Sequence, residues 1–188
     1  MRNRKILITI NRLCNITLIF ALIVIAVRFV ILPKFIYPRD YKEIVVRVST
    51  EYDLDPNLIY SVIKTESGFE ENAKSHRDAM GLMQIVPGTA DWIAGKLYLT
   101  EEEKQDYYNP EINIRLGCWY LNWLLKQYQI LETSLAAYNA GPGNVEQWLK
   151  QSEYSKDGFT LYDIPFKETK NYVEKVTRSY KMYNMLYD

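Results

Sequence analysis

The residue of this chain best placed to do chemistry is Glu66. It closes a short apolar stretch, Asp55-Pro56-Asn57-Leu58-Ile59-Tyr60-Ser61-Val62-Ile63-Lys64-Thr65-Glu66-Ser67-Gly68. Leu58, Ile59, Val62 and Ile63 recur at helical spacing, and Glu66 stands four residues after Val62 and three after Ile63, so it extends the apolar face. Apolar surroundings disfavour the charged form of a carboxyl, its pKa rises, and near neutral pH it can act as a general acid. On the helix pattern alone, a solvated glutamate in a frayed last turn is the better reading, and the residues that follow reverse that order. Other chemistries have less to stand on. His76 is the only histidine, no Cys/His/Asp cluster has metal-ligand spacing, and no nucleophile elbow accompanies a serine. Cys14 falls at the inner edge of the expected membrane segment and Cys118 in an expected helix outside it, a topology in which the two cannot pair, so no disulfide framework is read.

The elements that must position Glu66 read as helix after helix. Asp55 is an N-cap and Pro56 suits the first helical position, while Gly68 stops the helix. Before it, Ile44, Val45, Val48 and Tyr52 mark a helix over Tyr41 to Tyr52. After it, residues 69 to 80 form a polar loop, and Gly81 to Ile85 is short and apolar. Pro87 to Leu97 is the next helix, and Asn109-Pro110 repeats the cap-plus-proline signal to open the longest helix, to about Tyr128. Helices over Thr133 to Ala140 and Asn144 to Lys150 follow, then a loop from Gln151 to Asp163. Pro165 introduces a last helix carrying Tyr172, Val173, Val176, Tyr180 and Tyr183. No run alternates with period two, so the class is all-α, with at most a small hairpin in the loops.

Length and composition agree with one compact domain plus an appendage: 188 residues, 48% hydrophobic and 24% charged. The 23 Lys and Arg balance the 23 Asp and Glu, so no net charge argues for nucleic acid. Residues 1–12 are a basic leader with Arg2, Arg4, Lys5 and Arg12 and no acid. Residues 13–32 are apolar and about long enough to cross a bilayer, with Arg28 close enough to one end to snorkel. The leader places the N-terminus in the cytoplasm and the remainder outside. No small-x-small cleavage site follows the apolar run, so an uncleaved anchor is favoured over a signal peptide. Residues 33–40, bracketed by Pro33 and Pro38, form a linker to a catalytic domain over 41–188.

Blocks within residues 41–187 together resemble one family. These are Glu66-Ser67-Gly68-Phe69 with Ala73-Lys74-Ser75; Gly81-Leu82-Met83-Gln84-Ile85-Val86-Pro87-Gly88-Thr89-Ala90; Ala136-Ala137-Tyr138-Asn139-Ala140-Gly141-Pro142-Gly143; and Ile164-Pro165-Phe166-Lys167-Glu168-Thr169-Lys170-Asn171-Tyr172-Val173. Between them, Asn109-Pro110 and Asn113 to Gly117 fit a central helix. Their order and spacing resemble the lytic transglycosylases, in the soluble-murein-transglycosylase-like (SLT) catalytic domain related to goose-type lysozyme.

The resemblance implies a lysozyme-like helical fold and a reaction on peptidoglycan glycan strands. The family cleaves between N-acetylmuramic acid and N-acetylglucosamine without water and leaves a 1,6-anhydro end. By position, Glu66 is its single acid-then-base. Ser75 and Gln84 match residues that hydrogen-bond the sugar, Tyr138 and Asn139 match a cleft-wall pair, and Tyr172 matches a tyrosine whose hydroxyl lies near the catalytic glutamate. The resemblance implies no metal and no organic cofactor; the membrane is a partner through the apolar N-terminal segment, and protein partners are not specified. Val86 departs from the family, some members of which carry a sugar-contacting methionine there. Asp78 is the other carboxylate of interest: it reads as a solvated loop charge, or else as a second carboxylate favouring lysozyme-like hydrolysis. The alternatives are therefore a hydrolytic muramidase and a non-catalytic peptidoglycan-binding module.

Overall fold

The computed structural model describes residues 2–187, with side chains for 12–29, 31, 32 and 35–187. Arg2, Arg4 and Lys5 of the basic leader therefore lie outside the described side chains. The chain divides into two units, Met1–Arg39 and Asp40–Asp188. In the first, helix α1 spans Arg2–Ala26 and winding continues in π-helical form over Val27–Ile36, past the proline where the sequence suggests a linker. A proline cannot donate the usual i→i−4 bond, and looser winding is one way a helix passes it. The window Arg12–Phe29 is long and apolar enough to cross a membrane, and none of it is buried within the protein.

The second unit is helical, built from α2 (Lys42–Tyr52), α3 (Pro56–Glu66), α4 (Pro87–Lys96), α5 (Pro110–Tyr128), α6 (Leu131–Ala140), α7 (Pro142–Leu149) and α8 (Lys167–Tyr187). A 3₁₀ turn at Glu103–Gln105 had no sequence signal. Among the described residues, β-structure is limited to the isolated bridges Lys74–Met80 and Met80–Ile85, so the hairpin is vestigial. The all-α expectation holds. The longest helix of this unit is α8 with 21 residues, against 19 for α5, because its apolar stripe continues to Tyr183 at the C-terminal end.

Both cap-plus-proline signals act as read. The Asp55 carboxylate accepts from the Asn57 N–H at 2.8 Å, and the Asn109 side chain accepts from Glu111 and Ile112. Asp55 has a second function, accepting the Tyr180 hydroxyl at 2.5 Å and so pinning the start of α3 to α8. Leu58, Ile59, Tyr60, Val62 and Ile63 are all buried. Helix α3 packs chiefly on α8, and α6 lies between α5 and α8. The helix that ends in Glu66 is buried continuously over Asn57–Ile63.

Helix α5 meets the 80–85 segment so closely that Gly117 has no room for a side chain. A Cβ there would lie 2.7 Å from the Met83 Cβ. Gly117→Ala is expected to destabilise the protein by about 1–2 kcal/mol, the overpacking cost exceeding alanine's better helix propensity. Thermal unfolding checks this, and a raised Tm, as propensity alone would give, would contradict it.

Candidate active site

Glu66 is the last residue of α3, and the loop that follows folds back over it. Ser67 donates to the Leu82 carbonyl at 2.9 Å, and Gly81 N–H donates to Ala73 at 2.9 Å. Gly81 sits at φ +72°, where a Cβ would lie 2.7 Å from Asn113 Cγ, so both the conformation and the space call for glycine. Asn113, fully buried on α5, holds the loop from below. Its amide donates to Met80 O (2.9 Å) and Tyr107 O (2.8 Å), and its carbonyl accepts from Met83 N–H (2.8 Å). Tyr138 on α6 completes the clamp by donating its hydroxyl to Met83 O at 2.8 Å.

These elements enclose a cleft of about 280 Å³ whose walls include Glu66, Ser75, Gln84, Tyr138, Asn139 and Glu168. Five of the six residues expected from sequence therefore meet in one hollow, and Tyr172 lies just behind it. Each has a local commitment that limits what it can offer. Ser75 Oγ accepts from the N–H groups of Arg77 (3.2 Å) and Ala79 (3.1 Å), which leaves its O–H to donate. Gln84 sits at φ +49°, and its amide donates to Ala73 O (3.0 Å) and Gly81 O (2.9 Å), which leaves its carbonyl oxygen for a ligand. Asn139 Oδ1 accepts from Thr169 at 2.8 Å, leaving its NH₂ free of that bond. Tyr138 presents a ring, its hydroxyl being taken.

Glu66 keeps partial exposure through the cleft, yet protein atoms crowd its carboxyl on every other side. That desolvation is the chief reason its pKa is pushed from 4.5 to about 8. The Tyr172 hydroxyl opposes the shift by favouring the carboxylate, and the charge of Glu168 adds to it. Tyr172 stacks nearly parallel on Tyr138, with ring centroids 6.5 Å apart and planes at 6°. Its hydroxyl is buried without a well-formed hydrogen bond in this state, though close enough to Glu66 to act on it. Such bonds commonly tighten only when substrate is bound.

Glu168 is the residue sequence reasoning missed. It lies within a quoted block, four residues before Tyr172 and so on the same face of α8, but nothing local says that this face meets α3. Asp78 is not the cleft's second carboxylate. It is exposed, sits at φ +58° and pairs with Lys74 at 2.9 Å. His76 does line the cleft, but no serine or cysteine is joined to it by a hydrogen bond among the described residues. Among those residues, no group of three or more His, Cys, Asp or Glu is arranged to hold a metal ion.

Opposite shifts are expected from the two neighbours of Glu66. Glu168→Gln removes a negative charge and lowers the Glu66 midpoint, whereas Tyr172→Phe removes a donor to the carboxylate and raises it. A carboxyl ¹³C NMR titration reads both, and shifts of the same sign would contradict the geometry.

A family model described as the transglycosylase SLT domain matches residues 44–159. The soluble lytic murein transglycosylase of Salmonella typhimurium is 33% identical over 145 residues, 74% of this chain and 22% of that protein. The membrane-bound lytic murein transglycosylase C of Actinobacillus pleuropneumoniae is 32% identical over 170 residues, 77% of this chain and 46% of that protein. Among solved structures, an inactive glutamate-to-glutamine mutant of the lytic transglycosylase Slt from Pseudomonas aeruginosa matches with a TM-score of 0.70 and 34% identity, covering 79% of this chain and 24% of that one. The chain spans under half the length of the curated relatives it matches.

Proposed function

This chain belongs to the transglycosylase SLT domain family, and we propose that it is a membrane-anchored lytic transglycosylase that cleaves the β-1,4 bond between N-acetylmuramic acid and N-acetylglucosamine in peptidoglycan. The observation that carries this reading is Glu66: one carboxyl, protonated up to about pH 8, at the floor of a cleft. In the first half of the reaction its proton passes to the glycosidic oxygen as the bond to the anomeric carbon breaks. In the second, the C6 hydroxyl of the same muramic acid bonds to that carbon and its proton returns to Glu66. No water is consumed, and the product carries a 1,6-anhydro ring. Ordinary glycosidases divide this work between two carboxylates. Here the substrate supplies the nucleophile, and an attack within one sugar has a large orientational advantage.

The other cleft residues bind and orient. Ser75 O–H, Gln84 Oε1 and the Asn139 amide are the polar groups left to hold the sugar, and the Tyr172 hydroxyl is placed to steady the Glu66 carboxylate once its proton has gone. The chemistry calls for no metal and no organic cofactor. Residues 13–32 span the membrane, with the basic leader inside and the catalytic unit facing the wall. The uncovered apolar window Arg12–Phe29 and the membrane-bound relative from Actinobacillus pleuropneumoniae support anchoring.

Glu168 favours a second reading. A second carboxylate in the cleft is what a hydrolase would use to activate water, giving a muramidase with a free reducing end. A binding module is disfavoured, because binding sugar needs no buried acid. Incubation of the full-length protein in detergent with purified peptidoglycan tests for cleavage. Soluble muropeptides are expected, and binding to the wall without release of fragments would overturn the enzymatic reading.

A further inference from the structure

A separate hollow lies on the seam between α3 and α8 and shares no lining residue with the Glu66 cleft. It has a volume of about 300 Å³ and is lined by Lys64 and Thr65 from α3 and by Lys175, Arg178 and Ser179 from α8. The spacing of 175, 178 and 179 puts those residues on one face of α8, and Lys64 and Thr65 belong to the last turn of α3. Three cations thus meet with no acidic residue in the lining. Among the described residues, neither Lys175 nor Arg178 is paired with an acid, and the Ser179 hydroxyl has no hydrogen-bond partner. Thr65 is committed: it donates to the Ser61 carbonyl at 2.8 Å, which leaves its oxygen only to accept. Lys64 is half-buried, and the loss of water around its amine holds its pKa below the usual lysine range. Like charges gathered at a partly desolvated site repel one another until an anion comes between them.

We propose that this hollow holds the phosphate of an anionic phospholipid headgroup and so orients the catalytic unit above the bilayer. This rests on the reading of residues 13–32 as a membrane anchor. The charge of the ligand follows from the lining. An arginine presents paired N–H donors to two phosphate oxygens, two ammonium groups balance the charge, and the Ser179 O–H can donate to a further oxygen.

The membrane as its source follows from the path of the chain. Five residues, Tyr37 to Tyr41, join the end of helical winding at Ile36 to the start of α2 at Lys42, a reach of at most about 20 Å. Tyr41 donates its hydroxyl to Glu71 at 3.1 Å, and Glu71 follows closely on the end of α3. The chain therefore enters the unit near the C-terminal end of α3, the end that carries Lys64 and Thr65. Lys42, exposed at the same entry, adds a further cation. Cations tethered this close to a bilayer are drawn to anionic headgroups.

The test uses the full-length protein in lipid nanodiscs, either of phosphatidylcholine alone or of phosphatidylcholine and phosphatidylglycerol in equal parts. Acylation of lysines by a soluble reagent is followed residue by residue with mass spectrometry. Only the free amine reacts, and an anion in contact favours the ammonium. Lys64 and Lys175 are expected to react about three- to tenfold more slowly in the discs with phosphatidylglycerol, while exposed Lys126 and Lys150 are unchanged. Arg178→Gln is expected to remove most of the slowing at Lys64, and Arg178→Lys to retain more of it. Equal rates in the two kinds of disc, equal slowing of all four lysines, or full slowing in Arg178→Gln would each overturn the site. Two further outcomes would overturn a lipid ligand. Equal slowing by inorganic phosphate in phosphatidylcholine discs would assign the hollow to soluble phosphate, and slowing only when purified peptidoglycan is added would assign it to the wall. Failure of the protein to enter discs of either kind would instead overturn the anchor reading beneath it.

Discussion

Glu66→Gln is expected to fold like the parent and to lose glycan cleavage by about a thousandfold or more. A positioned general acid contributes roughly 10²–10⁴-fold, and in the proposed reaction one group serves both halves. Glutamine keeps the size and hydrogen-bonding shape of the acid but can neither give up nor recover the proton. The same substitution has a second consequence that a merely structural glutamate would not share. The unfolded chain loses the Glu66 proton near pH 4.5, whereas the folded chain keeps it until about pH 8. Between those values folding must take up a proton, so wild-type stability falls as pH rises, then levels off above about 8. Below about 4.5 both states are protonated and the effect vanishes. Glutamine has no such dependence, so its Tm relative to wild type is expected to rise across that window. Wild-type cleavage rates, or a Tm difference independent of pH, would contradict the role of Glu66.

The second large effect is expected from a residue that never faces the cleft. Asn113→Ala should lower stability by about 3 kcal/mol, because it leaves the Met83 N–H and the Tyr107 carbonyl buried without that partner. For a protein of this size that is a drop of roughly 6–12 °C in Tm. Asn113→Asp should not rescue it. The carboxylate can still accept from Met83, but it faces the Met80 and Tyr107 carbonyls, which need a donor. Cleavage should fall as well, since the Asn113 amide hydrogen-bonds the loop that carries Gln84 to α5. Thermal unfolding in detergent decides the matter. A shift below about 2 °C for alanine, less than about 1 kcal/mol, would mean that the loop is held by other contacts.

These residues also show which parts of the molecule are legible in its sequence. Asp55-Pro56 and Asn109-Pro110 announce their helices because capping is local, a side chain bonding an N–H two residues away. The helical spacing of the Val62–Ile63–Glu66 face is local too, and Val62 and Ile63 are fully buried. The loop between α3 and α4 is different. Its shape depends on Asn113 and Tyr138, thirty or more residues distant, and no local pattern encodes such a clamp. Glu168 escaped notice for the same reason. It resembles any exposed glutamate in a helix's first turn until α8 is laid against α3. The tryptophans at 92, 119 and 123 come together only because α4 packs on α5. Asp78, by contrast, is what its polar surroundings suggest, a solvated charge paired with its neighbour Lys74.

In the proposed reaction the substrate's own hydroxyl, not water, completes what Glu66 begins. The masses of the muropeptides released from purified peptidoglycan by the full-length protein test it most directly. Fragments one water lighter than hydrolysis products, and so ending in 1,6-anhydro rings, are the expected result. Fragments with free reducing ends would contradict it, and would make Glu168 the base that activates water in a muramidase.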